Sequence, residues 1–154
     1  TGFACQYSDG KAIKSIAIRV INTRLNKKMM MKNNTQALVL LAHGSRDASW
    51  RAPFEAIAAQ VASAQPGLQV RCAYLQLCQP DLPQVVADLC AAGYQQITVA
   101  PLFLGVGTHM RDDIPALLAA VQSQQPDCCF TLLPTLGEDA AAQNWMANWV
   151  LARL

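Results

Sequence analysis

Residues 37–42 read ALVLLA, an unbroken apolar run of strand length. A run that short and that uniformly apolar suits a strand buried on both faces, as in a parallel sheet. The unit recurs at Val70–Leu75, Ile97–Leu102 and Cys129–Leu133, and a polar turn and a helix-spaced stretch follow each run. After the first run, Pro53 opens a helix with Phe54, Ile57, Ala58 and Val61 on one face, and Gln65-Pro66-Gly67 ends it. After the second, Asp81 is an N-cap and Pro83 lies in the first turn. That helix carries Leu82, Val85, Val86, Leu89 and Cys90, and Gly93 closes it as a C′ glycine. After the third, FLGVGTHMRDD reads as a glycine-containing loop and Ile114–Gln125 as a helix. Pro134 to Gly137 turn into a last helix, Glu138–Leu154. The order β-α-β-α-β-α-β-α predicts a single α/β domain over residues 36–154. It should hold a four-stranded parallel sheet with helices on both faces and right-handed crossovers. Four strands are few for this class, which leaves a face or edge for a second copy to cover.

Composition narrows the function classes. The chain is 53% hydrophobic and 14% charged, which excludes a disordered region. No run approaches the roughly 18–20 apolar residues of a membrane span. Residues 1–35 hold seven basic residues against Asp9 alone, whereas residues 36–154 hold five basic and nine acidic ones. The domain is therefore mildly acidic and carries no nucleic-acid footprint. The first 35 residues read as a basic leader, non-native or disordered, with natural translation starting at Met29, Met30 or Met31. The six cysteines form no C-x-x-C pair, so a structural zinc site is not expected. They read as thiols of a reduced, cytoplasmic protein.

The chain has only two histidines. His43 directly follows the first strand and His109 follows the third across a short glycine loop. Sites in open α/β sheets form outside the carboxyl ends of the strands, so both fall on the functional rim. If strands one and three are neighbours, the two imidazoles converge. A neutral imidazole is the commonest metal ligand, and its ordinary pKa also suits proton transfer near pH 7. The competing interpretation is that each histidine only hydrogen-bonds its own loop. Arg46, Arg51 and Arg111 lie beside the histidines and suit an anionic ligand, or else pair with Asp47, Asp112 or Asp113 as surface charge. The glycine loop matches neither a Walker A nor a dinucleotide fingerprint. Trp145 and Trp149 share one helical face and are assigned to core or interface packing.

Two segments, LVLLAHGSRDASWRAPFEAIA and PLFLGVGTHMRDDIPALL, resemble the small CbiX-type sirohydrochlorin cobaltochelatases, class II chelatases related to the sirohydrochlorin ferrochelatases. The resemblance covers residues 37–154. It implies that His43 and His109 bind the incoming divalent metal and that His43 accepts a proton. It implies that Phe103, Leu104, Gly105, Val106, Gly107 and Thr108 lie along the tetrapyrrole, with Arg46 and Gln76 also at the substrate. Many relatives carry a glutamate after strand two, where this chain has Gln76. The resemblance further implies a cytoplasmic homodimer that inserts Co2+, or alternatively Fe2+ or Ni2+, with no organic cofactor. Two rivals come from other classes: a phosphoryl-transfer enzyme with His43 as nucleophile, and a non-catalytic metal or tetrapyrrole carrier.

Overall fold

The computed structural model describes residues 35–105 and 107–154, with backbone alone at 108–111. The basic leader lies outside the described residues, as does Val106. The strands are β1 (Gln36–Ala42), β2 (Gln69–Tyr74), β3 (Gln96–Pro101) and β4 (Cys129–Leu132). The helices are α1 (Ala52–Ala64), α2 (Leu82–Ala91), α3 (Thr108–Gln124) and α4 (Ala140–Leu151). Short 3₁₀ turns at Ala48–Arg51 and Leu136–Glu138 precede α1 and α4. The strands form one parallel sheet in the order β2-β1-β3-β4. The reversal of strand order beside β1 is the topological switch point at which such sheets bind ligands.

Helix boundaries follow their caps. The Asp81 carboxylate accepts from the Gln84 amide at 2.9 Å, as the sequence predicts. Gly93 lies at φ +91°, the left-handed turn a C′ residue needs. Asp139 caps α4 by accepting from the Ala142 amide at 2.9 Å, so this helix starts two residues after the predicted Glu138. The larger difference is at α3, which begins at Thr108, six residues before the predicted Ile114. The polar run THMRDD has no apolar periodicity to announce a helix. Pro115 also sits inside α3, where its missing amide hides the first two turns from a reading by pattern.

Side chains alternate across the sheet. Ala37, Val39, Leu41, Ala73, Ile97, Val99 and Phe130 point to one face, where α2 supplies Val85, Val86 and Leu89 and α3 supplies Ile114, Leu118 and Val121. This is the core. On the other face α1 lies over β1 and β2, with Phe54, Ala58 and Val61 half-buried. Helices thus cover both faces, but unequally. Beyond β1 on the α1 face, Thr98 and Ala100 stay half-buried and Thr131 is exposed. Helix α4 buries none of its residues, and Trp145 and Trp149 are 66% and 48% exposed, so they take no part in the core.

The cysteine expectation is corrected in one respect. Cys90, at the end of α2, and Cys128, just before β4, form a disulfide with Cα atoms 6.8 Å apart. Their wide sequence separation concealed a pair that the fold brings together at the amino-terminal end of the sheet. Cys72, Cys78 and Cys129 remain thiols. Among the described residues, no helix is long and apolar enough to cross a membrane.

Candidate active site

The parallel ladders continue beyond the strands and fix the rim. Leu75 N–H donates to the Ala42 carbonyl, and Gln76 N–H donates to the His43 carbonyl, both at 3.0 Å. On the other side Leu102 N–H donates to the Leu41 carbonyl at 2.8 Å. His43 is therefore held between the chain leaving β2 and the chain leaving β3. Its side chain is exposed, and its ring lies 4.6 Å from that of Phe103 at an interplanar angle of 53°.

Gly44 is required by what it touches. It lies at φ +94°, and a Cβ there would run into the Gln76 carbonyl oxygen and come within 3.3 Å of the Cys78 sulfur. The turn after His43 packs directly on the loop after β2. That loop closes on itself, because Tyr74 N–H donates to the Pro80 carbonyl at 3.0 Å. Arg51 donates from Nη1 to the Gln79 carbonyl at 3.4 Å, tying the loop to the turn before α1. Beneath, Trp50 stacks on Phe54 with ring centroids 4.5 Å apart and sets its edge against Tyr74 at 6.4 Å. The Tyr74 hydroxyl is pushed up to about 12, first by burial and then by Cys72 and Glu55, with Arg51 opposing. Burial also raises the Cys72 thiol, and Glu55 adds to the effect.

Among the described side chains, Asp47 pairs with no neighbouring arginine. It caps the 3₁₀ turn, and its carboxylate accepts from the Ser49 hydroxyl at 2.8 Å and the Ser49 amide at 2.9 Å. These bonds hold it below the usual carboxylate range. Arg46 remains exposed on the rim beside His43.

The segment from Phe103 onward divides into two parts. Phe103 is 3% exposed and belongs to the core, so its contact is with His43 and not with solvent. Leu104 is 67% exposed, and Gly105 and Gly107 are exposed. Gly107 stands at the N-cap position of α3, which places Thr108 and His109 in its first turn. The side chains of Thr108, His109 and Arg111 lie outside the described residues. The condition for two converging imidazoles is met in the backbone, because β1 and β3 pair throughout. Among the described residues no three His, Cys, Asp or Glu side chains gather around a metal-sized space. Gln76 is exposed beside His43.

Sequence reasoning missed the brace on the far side of this loop. Gly137 donates its N–H to the Phe103 carbonyl at 2.8 Å, and a Cβ at Gly137 would collide with the Leu104 backbone. The signal was present as a lone glycine after β4, which reads equally well as ordinary turn chemistry.

Comparisons with known proteins identify the fold and the family. A sirohydrochlorin cobaltochelatase of Methanopyrus kandleri is 35% identical over 82 residues, covering 53% of this chain and 57% of that protein. The aligned stretch is thus a little over half of that relative's length. A solved CbiX protein of cobalamin (vitamin B12) biosynthesis from Marinobacter aquaeolei VT8 superposes with a TM-score of 0.67 at 30% identity. That match covers 77% of this chain and 96% of the other. The sirohydrochlorin chelatase SirB of Bacillus subtilis subspecies spizizenii, solved with cobalt, shares the fold with a TM-score of 0.60 at 24% identity. The match covers 68% of this chain and 44% of SirB. The CbiX family profile matches residues 37–153, and the chain belongs to the CbiX family.

Proposed function

We propose that the protein is a sirohydrochlorin cobaltochelatase that inserts Co2+ into the tetrapyrrole and releases two protons. The observation that carries this reading is the position of His43. It stands exposed at the carboxyl end of a central strand, backed by Phe103, with the chain from the neighbouring strand leading to His109.

The metal is a substrate here. Two pyrrole N–H protons must leave as it enters. His43 and His109 deliver the cation as borderline nitrogen ligands and leave coordination positions open for the ring nitrogens. As the cation passes to the ring, His43, within reach of solvent, takes up one released proton and passes it to bulk water, and the second proton passes directly to water. Leu104 with the glycines beside it offers an apolar wall to the macrocycle, and Arg46 offers a guanidinium to its carboxylates. Affinity order alone does not distinguish Co2+ from Fe2+ or Ni2+, so the family resemblance makes cobalt the choice.

The functional unit is read as a homodimer in the cytoplasm. The thinly covered sheet face beyond β1 and the exposed tryptophans of α4 support the dimer, which sedimentation velocity tests directly. The three thiols fit a reducing compartment, although the Cys90–Cys128 bond weighs the other way.

The deciding experiment records the absorption spectrum of sirohydrochlorin with Co2+ and catalytic amounts of protein. Accelerated conversion over many turnovers establishes the chelatase. A spectral shift stoichiometric with protein, without turnover, replaces it with a carrier, as Gln76 in place of an acidic residue would allow.

A further inference from the structure

We infer that Leu77 is a tetrapyrrole-contacting residue that forms, with Leu104, a pair of apolar jaws on either side of His43. The inference rests on the chelatase reading and adds to it a residue that the sequence did not single out.

Leu77 lies at φ +65°, and it is the only described residue other than glycine at positive φ. That region is costly for a bulky side chain, whereas glycine or asparagine adopts it easily. Leucine normally compensates for strain by packing, yet this one is 53% exposed. Surface leucines scattered singly are ordinary. A surface leucine held in a left-handed conformation combines two costs, and the fold recovers neither.

The loop that holds it is fixed. The Tyr74–Pro80 hydrogen bond closes it, the Gln76–His43 bond ties it to the rim, and Gly44 packs against the Gln76 carbonyl. Leu77 is thus pinned, and such outliers concentrate at ligand-binding positions. Its placement supplies the ligand class. Leu77 lies three residues beyond the end of β2, and Leu104 lies three residues beyond the end of β3. Because β1 runs between those strands, the two exposed leucines flank the strand end that carries His43. Two apolar side chains on either side of an imidazole suit a flat ring with an apolar face and a polar edge. They do not suit a phosphate or a free cation.

The test compares the wild-type protein with Leu77→Asn and Leu77→Ala. It measures thermal unfolding, sirohydrochlorin binding by fluorescence quenching without metal, and Co2+ binding by titration calorimetry. Leu77→Asn is expected to unfold at an equal or higher temperature, because asparagine accepts the backbone conformation. Both variants are expected to bind sirohydrochlorin about tenfold more weakly, the order expected for losing part of a buried leucine contact. Co2+ binding should not change. A stable Leu77→Asn with wild-type sirohydrochlorin affinity overturns the inference and leaves the chelatase reading standing. A marked fall in the unfolding temperature of Leu77→Asn also overturns it, by showing that the leucine serves the fold. Wild-type protein that binds no sirohydrochlorin overturns both.

Discussion

The ring of His43 rests on the ring of Phe103, with centroids 4.6 Å apart and planes tilted by 53°. One partner is exposed and the other is buried in the core, so the contact anchors an exposed rim side chain to the packed interior. Phe103→Leu keeps most of the volume and removes the aromatic support. We expect a modest stability loss of about 1 kcal/mol, the range of volume-conserving core changes. We also expect a several-fold fall in kcat with little change in KM. Steady-state insertion kinetics beside urea unfolding measure both, and an unchanged kcat contradicts the anchoring role.

On the proposed mechanism, His43→Ala removes both a metal ligand and the proton acceptor. Its exposed side chain contributes little to the core, so circular dichroism and the unfolding midpoint should match wild type. Insertion should fall by about 10²–10⁴-fold or more, the range of general-base assistance alone. Near-normal insertion by this variant would sink the assignment.

Gln76 stands exposed beside His43, joined to it through the backbone. A carboxylate there adds a second proton acceptor and an anionic ligand for the cation. Gln76→Glu is expected to tighten Co2+ binding and to raise kcat by about tenfold, a conservative share of a general-base effect. A variant no faster than wild type means that the glutamine is already suited to its task.

Gly44→Ala places a methyl group against the Gln76 carbonyl at a φ that alanine avoids. The loops on either side are tied down, so the clash has little room to relax. The expected cost is about 1–3 kcal/mol or more in chemical denaturation. Activity should fall with it, because the displaced segment begins at His43.

Tyr74 predicts a loss of stability at alkaline pH. Its hydroxyl titrates near its ordinary value of 10.0 when unfolded and at about 12 when folded. Between those values the folded state retains a proton that the unfolded state has released. Stability is therefore fully present below about pH 10 and declines as pH rises toward 12. The raised Cys72 thiol acts in the same direction. Tyr74→Phe should flatten the decline between pH 10 and 12 in thermal scans. An unaltered slope removes Tyr74 as its cause.

The sheet was legible because its strands are buried on both faces, and burial writes itself as unbroken apolar runs. The caps at Asp81 and Gly93 were legible because each satisfies a local geometric need. The first turns of α3 were not, since THMRDD has no apolar stripe and Pro115 interrupts the amide pattern. His43 could be placed on the rim from sequence, because a residue directly after a buried strand has nowhere else to go. Phe103 read as a substrate-facing loop residue, whereas the fold turns it inward beneath His43. Leu77 gave no signal, because a positive φ belongs to the closed loop and not to leucine.

The parallel strands give the domain two unlike ends. The Cys90–Cys128 bond lies at the end where strands begin, and His43 lies at the end where they finish. An affinity tag, a fluorophore or a surface tether fixed near the disulfide would leave the rim that carries His43 facing outward. The end of the sheet where the strands begin is therefore a natural grip for immobilising the molecule, with the His43 end left open to solution.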